Sequence, residues 1–396
     1  MRIFQIKHPD EVKHIMQEIK VDPYGIGIML PKAQNYLVRM NAVSSIVANI
    51  LKQEMLSLGG EAAVAREALT GRSKKTDCLL IGNLSQLKSL NEKLKLQPFG
   101  LNDISRQLSR ALSYYQKEKF TLKAGKYSLS LGSRVRIMGI LNLTPDSFSG
   151  DGVYKPQADE VVELAEKMVK DGADIIDVGG ESTRPGAKPV SLKEELSRVI
   201  PAIKVLAKKI KVPLSVDTYK PEVAKAALDN GAVIVNDITG LKNYKMPKLI
   251  AKYNAGVVIM HSKGKPLTMQ KSPRYVSLID EIIAYLANGI KRAEDAGVNR
   301  EKIIIDPGIG FGKTAEHNLE ILKCINEFKV LGRPILAGPS RKSFIGKILD
   351  AAPAERVFGT ASACVLLAGG GAHLVRVHDV REVRQALDIF EAVNNQ

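Results

Sequence analysis

The stretch RIMGILN, from Arg136 to Asn142, is the first of eight short runs rich in Ile, Val and Leu that recur to the end of the chain. The others, in order, are ADIIDVGG, VPLSVDT, AVIVND, GVVIMHS, KIIIDPG, RPILAGPSR and AHLVRVHD. Apolar runs without polar alternation suit strands that are buried on both faces, and the segments between them have helical spacing. Eight such units predict an α/β fold, a (β/α)8 TIM barrel.

Nearly every run ends in a polar residue. The active site of a (β/α)8 barrel lies at the C-terminal ends of its strands, so these side chains should converge on one mouth. They are Asn142, Asp177, Asp217, Asn236, Asp306, Arg341, Lys342, Arg376 and His378.

Two long loops follow the first two strands. Loop 1 (residues 142–154) and loop 2 (residues 179–186) are both rich in Pro, Gly and small hydroxyl residues. Long loops at a barrel mouth are usually lids or binding loops, although each could be an ordinary βα turn.

Asp217, Asn236 and Asp306 each follow an apolar strand. Buried carboxylates must find hydrogen-bond donors or stay protonated, and a flat heterocycle with an aminopyrimidinone edge offers donors and acceptors in a row. The alternative is that these residues cap the following helices.

A cationic group closes the last two strands. Residues 338–343 read GPSRKS, and Arg376 and His378 face the same way on the final strand. Strands 7 and 8 of such barrels commonly hold phosphate, so a diphosphate and Mg²⁺ could bind here, with Asn142 as a metal ligand. A solvated basic rim is the alternative.

With 396 residues the chain exceeds one ordinary barrel, so we expect a small α/β domain over residues 1–118 and the barrel over residues 119–396. In the first, MRIFQIK, YGIGIML and DCLLIG resemble strands, and residues 10–20, roughly 36–58 and 84–115 resemble helices. No catalytic motif occurs there, which favours an assembly or packing role. Residues 114–120 are the expected linker, and FTLKAGKYSLSLG reads as a hairpin that covers the barrel floor.

The formal net charge of +16 is spread along the chain without a basic stripe interleaved with aromatics, and Trp is absent. Nucleic-acid binding is therefore not expected. No apolar run is long enough for a membrane span and the first residues are unlike a secretory signal, which predicts a soluble, cytoplasmic protein. Cys78, Cys324 and Cys364 lack metal-ligand spacing, so we expect buried, reduced thiols.

Seven segments, in this order, closely resemble the dihydropteroate synthase family: NLTPDSFSGDG, DVGGESTRPGA, SVDT, NDITG, DPGIGFGK, GPSRKSFIG and RVHDV. They span about residues 120–390. The resemblance implies a transferase of folate biosynthesis that condenses a hydroxymethyl-dihydropterin diphosphate with 4-aminobenzoate, releasing diphosphate, with Mg²⁺ as cofactor. It also implies a homodimer, and inhibition by sulfonamides as mimics of aminobenzoate.

Matching positions imply the roles of the site residues. The implied catalytic residues are Asp217, Asp306, Lys342, Arg376 and His378. Those implied to hold the pterin are Asp217, Asn236, Asp306 and Lys342, and Asp177 and Phe311 are further substrate-binding positions. Those implied to border the aminobenzoate are Phe148, Thr183, Arg184, Pro185 and Ser343. Asn142, Arg376 and His378 would handle Mg²⁺ and diphosphate.

The chain departs from the family pattern in loop 1, which reads Ser149-Gly-Asp151-Gly where the family usually has SDGG. This leaves the contact of Asp151 open. A second departure is Lys263, near which many relatives carry an Arg. The main rival function is a pterin-dependent methyltransferase acting with a corrinoid partner, which needs no diphosphate site. A non-catalytic pterin-binding protein is the third possibility.

Overall fold

The computed structural model describes residues 1–3, 9–143, 158–182, 189–264, 269 and 272–394. The chain divides into two compact units, Met1–Ser113 and Tyr114–Gln396. Among the described residues, no helix is both long and apolar enough to cross a membrane.

The first nine elements contain a small antiparallel sheet with the strand order β1-β3-β2. These elements are α1 (Pro9–Glu18), α2 (Pro23–Ala33), β1 (Asn35–Ser44), α3 (Ser45–Ser57), β2 (Glu61–Val64), α4 (Arg66–Leu69), β3 (Lys75–Asn83), α5 (Leu84–Leu94) and α6 (Leu101–Tyr115). Leu51, Leu80, Leu87 and Leu90 lie fully buried in the core of this unit.

Three local predictions for this unit are wrong or incomplete. YGIGIML is not a strand but most of α2, because the Asp22 side chain accepts from the Tyr24 N–H and Pro23 occupies the first turn. Residues 36–58 are not one helix. They hold β1 and then α3, which begins where the Ser44 side chain accepts from the Val47 N–H.

The expected helix over residues 84–115 is interrupted near Pro98 and forms α5 and α6. DCLLIG does form β3, and residues 10–20 largely coincide with α1. β2 was not predicted. Most of MRIFQIK lies outside the described residues.

The second unit starts with a hairpin and continues with alternating strands and helices. Its strands are β4 (Phe120–Ala124), β5 (Tyr127–Leu131), β6 (Arg136–Asn142), β7 (Ile175–Gly179), β8 (Leu214–Asp217), β9 (Ile234–Asp237), β10 (Gly256–Met260), β11 (Ile303–Asp306), β12 (Leu336–Ala337) and β13 (Leu374–Val377). Its helices are α7 (Ala158–Lys170), α8 (Leu192–Lys209), α9 (Pro221–Asp229), α10 (Lys245–Tyr253), α11 (Leu278–Asp295), α12 (Ala315–Lys323), α13 (Ser343–Leu349), α14 (Val357–Gly369) and α15 (Val380–Asn394).

Over the described residues, β6 to β13 form one parallel eight-stranded sheet with the order β11-β10-β9-β8-β7-β6-β13-β12. A parallel bridge between Ile305 and Ile335 joins the two ends of this order. The sheet is therefore closed, and the predicted (β/α)8 barrel is confirmed.

The floor of the barrel is apolar. One residue from each of seven strands shares a buried cluster with the hairpin: Met138, Ile175, Ile234, Val258, Ile304, Leu336 and Leu374. Phe120 and Leu122 of β4 belong to the same cluster, so the hairpin covers the floor as predicted. Because alternate residues of a strand face the same side, the next inward positions are Asp177, Asn236, Asp306 and Arg376, toward the opposite end.

Candidate active site

The centre of the mouth is a buried ion-pair network. Asp177 is fully buried, and its Oδ2 accepts from Arg376 Nε at 2.6 Å and from Asn236 Nδ2 at 3.0 Å. The Arg376 guanidinium also donates to Asp217 Oδ2 at 2.7 Å. One cation thus joins two carboxylates from neighbouring strands, β7 and β8, and fixes the geometry of both.

Burial raises the pKa of two carboxyl groups at the mouth, those of Asp217 and Asp306. Removal from water raises the pKa of Asp217 to about 7, although Arg376 works against this and Asp177 adds to it. Burial also raises the pKa of Asp306 to about 6, against the effect of the Gly308 N–H and the Lys342 ammonium. Both groups therefore titrate close to neutral pH.

Several acceptors in the barrel interior have no partner within the described structure. They are Asp177 Oδ1, Ser215 Oγ and Asn236 Oδ1. Ser215 lies two residues before Asp217 on β8 and is paired in register with Asp177. Because buried polar groups are normally hydrogen-bonded, this set suits a ligand that carries several N–H donors. Sequence reasoning missed Ser215, although its alternate position relative to Asp217 was a usable signal.

A buried lysine, Lys313, holds the loop that follows β11 by hydrogen bonds to its backbone. Lys313 Nζ donates to the carbonyl oxygens of Gly308 at 2.8 Å and Phe311 at 3.1 Å, and lies 2.8 Å from His261 Nδ1. Burial lowers the pKa of His261 to about 2, so its ring is neutral and Nδ1 can accept. His261 is thus a packed, hydrogen-bonded residue, and the sequence analysis did not identify Lys313.

The same loop places the Gly308 N–H against Asp306 and the Phe311 ring beside Lys342. Asp306 Oδ1 accepts from the Gly308 N–H at 2.7 Å, and Lys342 Nζ lies 4.2 Å from the centre of the Phe311 ring. A Cβ on Gly310, whose φ is +83°, would stand 3.0 Å from Lys342 Cδ. A larger residue at Gly310 would therefore displace the lysine stem.

At the ends of β12 and β13, Ser340 and His378 are hydrogen-bonded. Ser340 Oγ lies 3.0 Å from His378 Nδ1 and accepts from the His378 N–H at 3.2 Å. Burial and the nearby Arg376 lower the pKa of His378 to about 3, so its ring is neutral in this state. Arg341 has a positive φ of 55° and donates through Nε and Nη2 to the two carboxylate oxygens of Asp379, so its charge is engaged by the protein.

Asn142 ends β6 and is half-buried. A Cβ on Gly179 would lie 3.4 Å from Asn142 Oδ1 and 3.5 Å from Asp217 Cβ, so glycine permits the close approach of these strands. The described residues contain no group of three His, Cys, Asp or Glu side chains able to hold a metal. Mg²⁺ needs few protein ligands when it shares substrate phosphates, and a single amide oxygen fits that pattern.

The remaining predicted positions vary. Ser343 is exposed at the start of α13. His317 is half-buried and takes part in the N-terminal cap of α12. Phe148, Asp151, Thr183, Arg184 and Pro185 lie outside the described residues.

Comparison with known proteins extends this description. The family described as "Pterin binding enzyme" matches residues 138–378. Dihydropteroate synthase of Synechocystis is 47% identical over 69% of this chain and 94% of that protein. A crystal structure of Yersinia pestis dihydropteroate synthase with a sulfonamide drug complex has 42% identity and a TM-score of 0.67, covering 70% of this chain and 100% of that one.

A longer relative also matches the N-terminal unit. The probable bifunctional folylpolyglutamate synthase/dihydropteroate synthase of Halobacterium salinarum is 41% identical over 387 residues, which are 97% of this chain but 46% of that protein. The chain thus spans about half the length of that relative, whereas it matches nearly all of the length of the Synechocystis protein. On these matches and on the closed pterin-type barrel, this chain belongs to the dihydropteroate synthase family of pterin-binding enzymes.

Proposed function

We propose that the barrel condenses 6-hydroxymethyl-7,8-dihydropterin diphosphate with 4-aminobenzoate to give 7,8-dihydropteroate and diphosphate. The observation that carries this proposal is the pair of buried carboxyls, Asp217 and Asp306, with unpartnered acceptors in the same barrel interior and the cations Arg376 and Lys342 nearby. Such a mouth combines a site for a ring rich in N–H donors with a site for an anionic leaving group.

The pterin would be held by Asp217, Asn236 and Asp306, with Lys342 on its face or edge. Asp177 would act from below by orienting Asn236 and Arg376, since its Oδ2 is already bonded to both. Phe311 would complete an apolar wall, because its ring is buried and stacked against the Lys342 ammonium.

The diphosphate end would lie at β13 and β6. Arg376 and His378 can donate to phosphate oxygens, and Asn142 would supply an amide oxygen to Mg²⁺, which neutralises charge on the diphosphate when bound. Charge develops on the leaving group as the C–O bond to the pterin methylene breaks. Fixed donors at that point stabilise the transition state.

The second substrate needs positioning more than activation. The aniline nitrogen of 4-aminobenzoate is already a nucleophile near neutral pH, so no strong base is required. It attacks the methylene carbon and loses its proton, while Asp217 and Asp306 stabilise positive charge on the ring. Thr183, Arg184, Pro185, Ser343 and Phe148 are the residues assigned to its pocket.

A methyltransferase acting with a corrinoid partner would need the same ring site but no diphosphate site. The Ser340–His378 pair and Lys342, set beside Arg376, favour the transfer with diphosphate release.

The test is a diphosphate-release assay with the pterin diphosphate, run with and without 4-aminobenzoate. We expect Mg²⁺-dependent release that requires 4-aminobenzoate. Lys342→Ala should weaken binding of the pterin diphosphate by about 1.5–3 kcal/mol, the usual worth of a charge-assisted hydrogen bond, and should lower turnover too. No release with the wild-type chain, or unchanged affinity in the variant by calorimetry, would contradict these assignments.

The exposed apolar surface of α14 supports a homodimer. This helix, VFGTASACVLLAG, has no charged residue, and Phe358 and Leu366 on its outer face are 84% and 63% exposed. Ile389 and Val393 of the adjacent α15 are also exposed. A helix that is apolar on all sides is normally buried, so a second copy would cover this face.

A further inference from the structure

The turn between β12 and α13 contains a residue in an unfavourable backbone conformation. Arg341 has a φ of 55°, in the left-handed region that residues with a Cβ rarely adopt. It separates Ser340, which is hydrogen-bonded to His378, from Lys342. Such a conformation persists only when the surrounding structure holds it in place, and it is found most often at functional sites.

The backbone of Arg341 is held from the start of α14. The Arg341 N–H donates to Thr360 Oγ1 at 3.0 Å, and the Arg341 carbonyl accepts from Arg356 Nη1 at 3.0 Å. Thr360 is fully buried in the first turns of α14, and Arg356 is the residue directly before that helix. Both backbone polar groups of the strained residue therefore depend on one end of one helix.

Glycines allow α13 and α14 to come close enough for these bonds. A Cβ on Gly346 of α13 would stand 2.2 Å from Arg356 Nη2, and a Cβ on Gly359 of α14 would stand 2.4 Å from Ile345 Cγ2. The Arg356 guanidinium thus lies directly against the backbone of α13. Because α13 begins right after Lys342, the helix that follows the turn is fixed against α14 together with the turn itself.

The side chain of Arg341 fixes the turn on its other side. Its Nε donates to Asp379 Oδ2 at 3.0 Å and its Nη2 donates to Asp379 Oδ1 at 2.5 Å. The Lys342 N–H donates to the Pro339 carbonyl at 3.2 Å and closes the turn. The N–H, the carbonyl and the guanidinium of Arg341 are thus bound by three different residues, so these bonds determine the direction in which the chain reaches Lys342.

We infer that Thr360 and Arg356 are positioning residues for Lys342. They hold Arg341 in its left-handed conformation, and this conformation sets the place of the Lys342 ammonium, 4.2 Å from the centre of the Phe311 ring. The inference rests on the proposed function, because Lys342 is assigned there to the pterin. Neither Thr360 nor Arg356 needs to touch the substrate, since both act through the backbone of Arg341.

The test measures the dissociation constant of the pterin diphosphate by calorimetry in the full chain. Thr360→Val keeps the shape of the buried side chain but removes the acceptor for the Arg341 N–H, so we expect the constant to rise about three- to tenfold. Thr360→Ser retains the hydroxyl and should bind within about twofold of the wild type. Ser362→Ala removes an exposed hydroxyl from the same helix and should also stay within about twofold.

A double-mutant cycle shows whether the effect passes through Lys342. In the Lys342→Ala background a displaced turn has no ammonium to misplace. Adding Thr360→Val there should therefore change the dissociation constant by less than about twofold. A role of Thr360 in stability alone would lower the melting temperature of Thr360→Val without changing its affinity, and would contradict the inference.

Gly346→Ala extends the test in case Thr360→Val fails to fold. Its Cβ would displace the Arg356 guanidinium from the Arg341 carbonyl, so the dissociation constant should rise here too. Three results would overturn the inference: unchanged affinity in Gly346→Ala, Thr360→Ser binding as weakly as Thr360→Val, or an equal effect of Thr360→Val with and without Lys342. A wild-type chain that does not bind the pterin diphosphate would overturn the proposed function, and the inference with it.

Discussion

At the scale of single residues, Asp217 and Asp306 link binding to pH. Their pKa values of about 7 and about 6 exceed the ordinary 3.8 of an unfolded Asp, so the folded protein holds more protons between these values. Stability of the free protein should therefore fall as the pH rises from about 4 to 7. A ring that donates N–H hydrogen bonds needs ionised carboxylates. Its affinity should therefore rise with pH, although the stability of the free protein falls.

We expect the affinity for the pterin diphosphate to increase as the pH rises through about 6 to 7, measured by calorimetry between about pH 5 and pH 8. In Asp217→Asn the part of this increase that occurs near pH 7 should disappear, while weaker binding through Asp306 remains. An affinity that is flat across this range in the wild type would show that the two carboxyls bind the ring in their protonated state.

Lys313 gives a second prediction at this scale. Lys313→Met keeps the stem but removes the donor to the Gly308 and Phe311 carbonyls, which leaves buried acceptors without a partner. We expect a loss of about 2–4 kcal/mol in the free energy of unfolding, measured by urea denaturation. Lys323→Met, at the exposed end of α12, is the control and should change stability by less than about 0.5 kcal/mol. Comparable free energies of unfolding for both variants would show that Lys313 does not stabilise the loop after β11.

The residues that sequence alone could identify are those at strand ends. Asp217 and Arg376 follow from the barrel pattern, because strand position fixes direction. Lys313 could not be found in this way. Its partners, such as the Phe311 carbonyl, are backbone atoms brought near it only by the folded loop.

At the scale of elements, prediction succeeded where burial leaves a clear pattern. The barrel strands are buried on both faces and read as continuous apolar runs, such as β11 with Ile303, Ile304 and Ile305. β1 is half-exposed, and its inward Tyr36, Val38 and Met40 continue into the apolar residues of α3, so the two merged into one apparent helix. Short apolar runs do not separate strand from helix, which also explains α2.

The outer face of α14 carries the prediction for this scale. Phe358→Asp places a charge in the proposed interface between copies, so we expect the protein to sediment as a monomer. Asn288→Asp adds the same charge at an exposed position of α11 and should leave the oligomeric state unchanged. If the wild type is itself a monomer at micromolar concentration, or if both variants remain dimeric, α14 is not the contact surface.

At the scale of the whole molecule, the two units differ in their relation to other family members. The match to the Synechocystis protein covers 69% of this chain and 94% of that protein, whereas the match to the Halobacterium protein extends over 97% of this chain and so includes the N-terminal unit. Every described residue of the proposed site lies in the second unit. We therefore expect the second unit to carry out the chemistry without the N-terminal unit.

The place where the second unit begins can be tested by truncation. The chain divides between Ser113 and Tyr114, earlier than the boundary at 118 expected from the sequence. Tyr114 lies under the Arg300 guanidinium at 5.0 Å and closely against Gly332, and the Tyr115 hydroxyl accepts from Asn326 Nδ2 at 3.0 Å. These contacts belong to the barrel and would be lost from a chain that starts at residue 119.

We expect residues 114–396 to fold cooperatively and to release diphosphate in the presence of 4-aminobenzoate at a rate close to that of the full chain. Residues 119–396 should be active but melt at a lower temperature, because truncating two partly buried aromatic anchors costs about 1–3 kcal/mol. Circular dichroism melts and the release assay measure both. Equal melting temperatures for the two fragments would show that Tyr114 and Tyr115 do not stabilise the barrel. A folded but inactive 114–396 fragment would mean that the N-terminal unit takes part in catalysis.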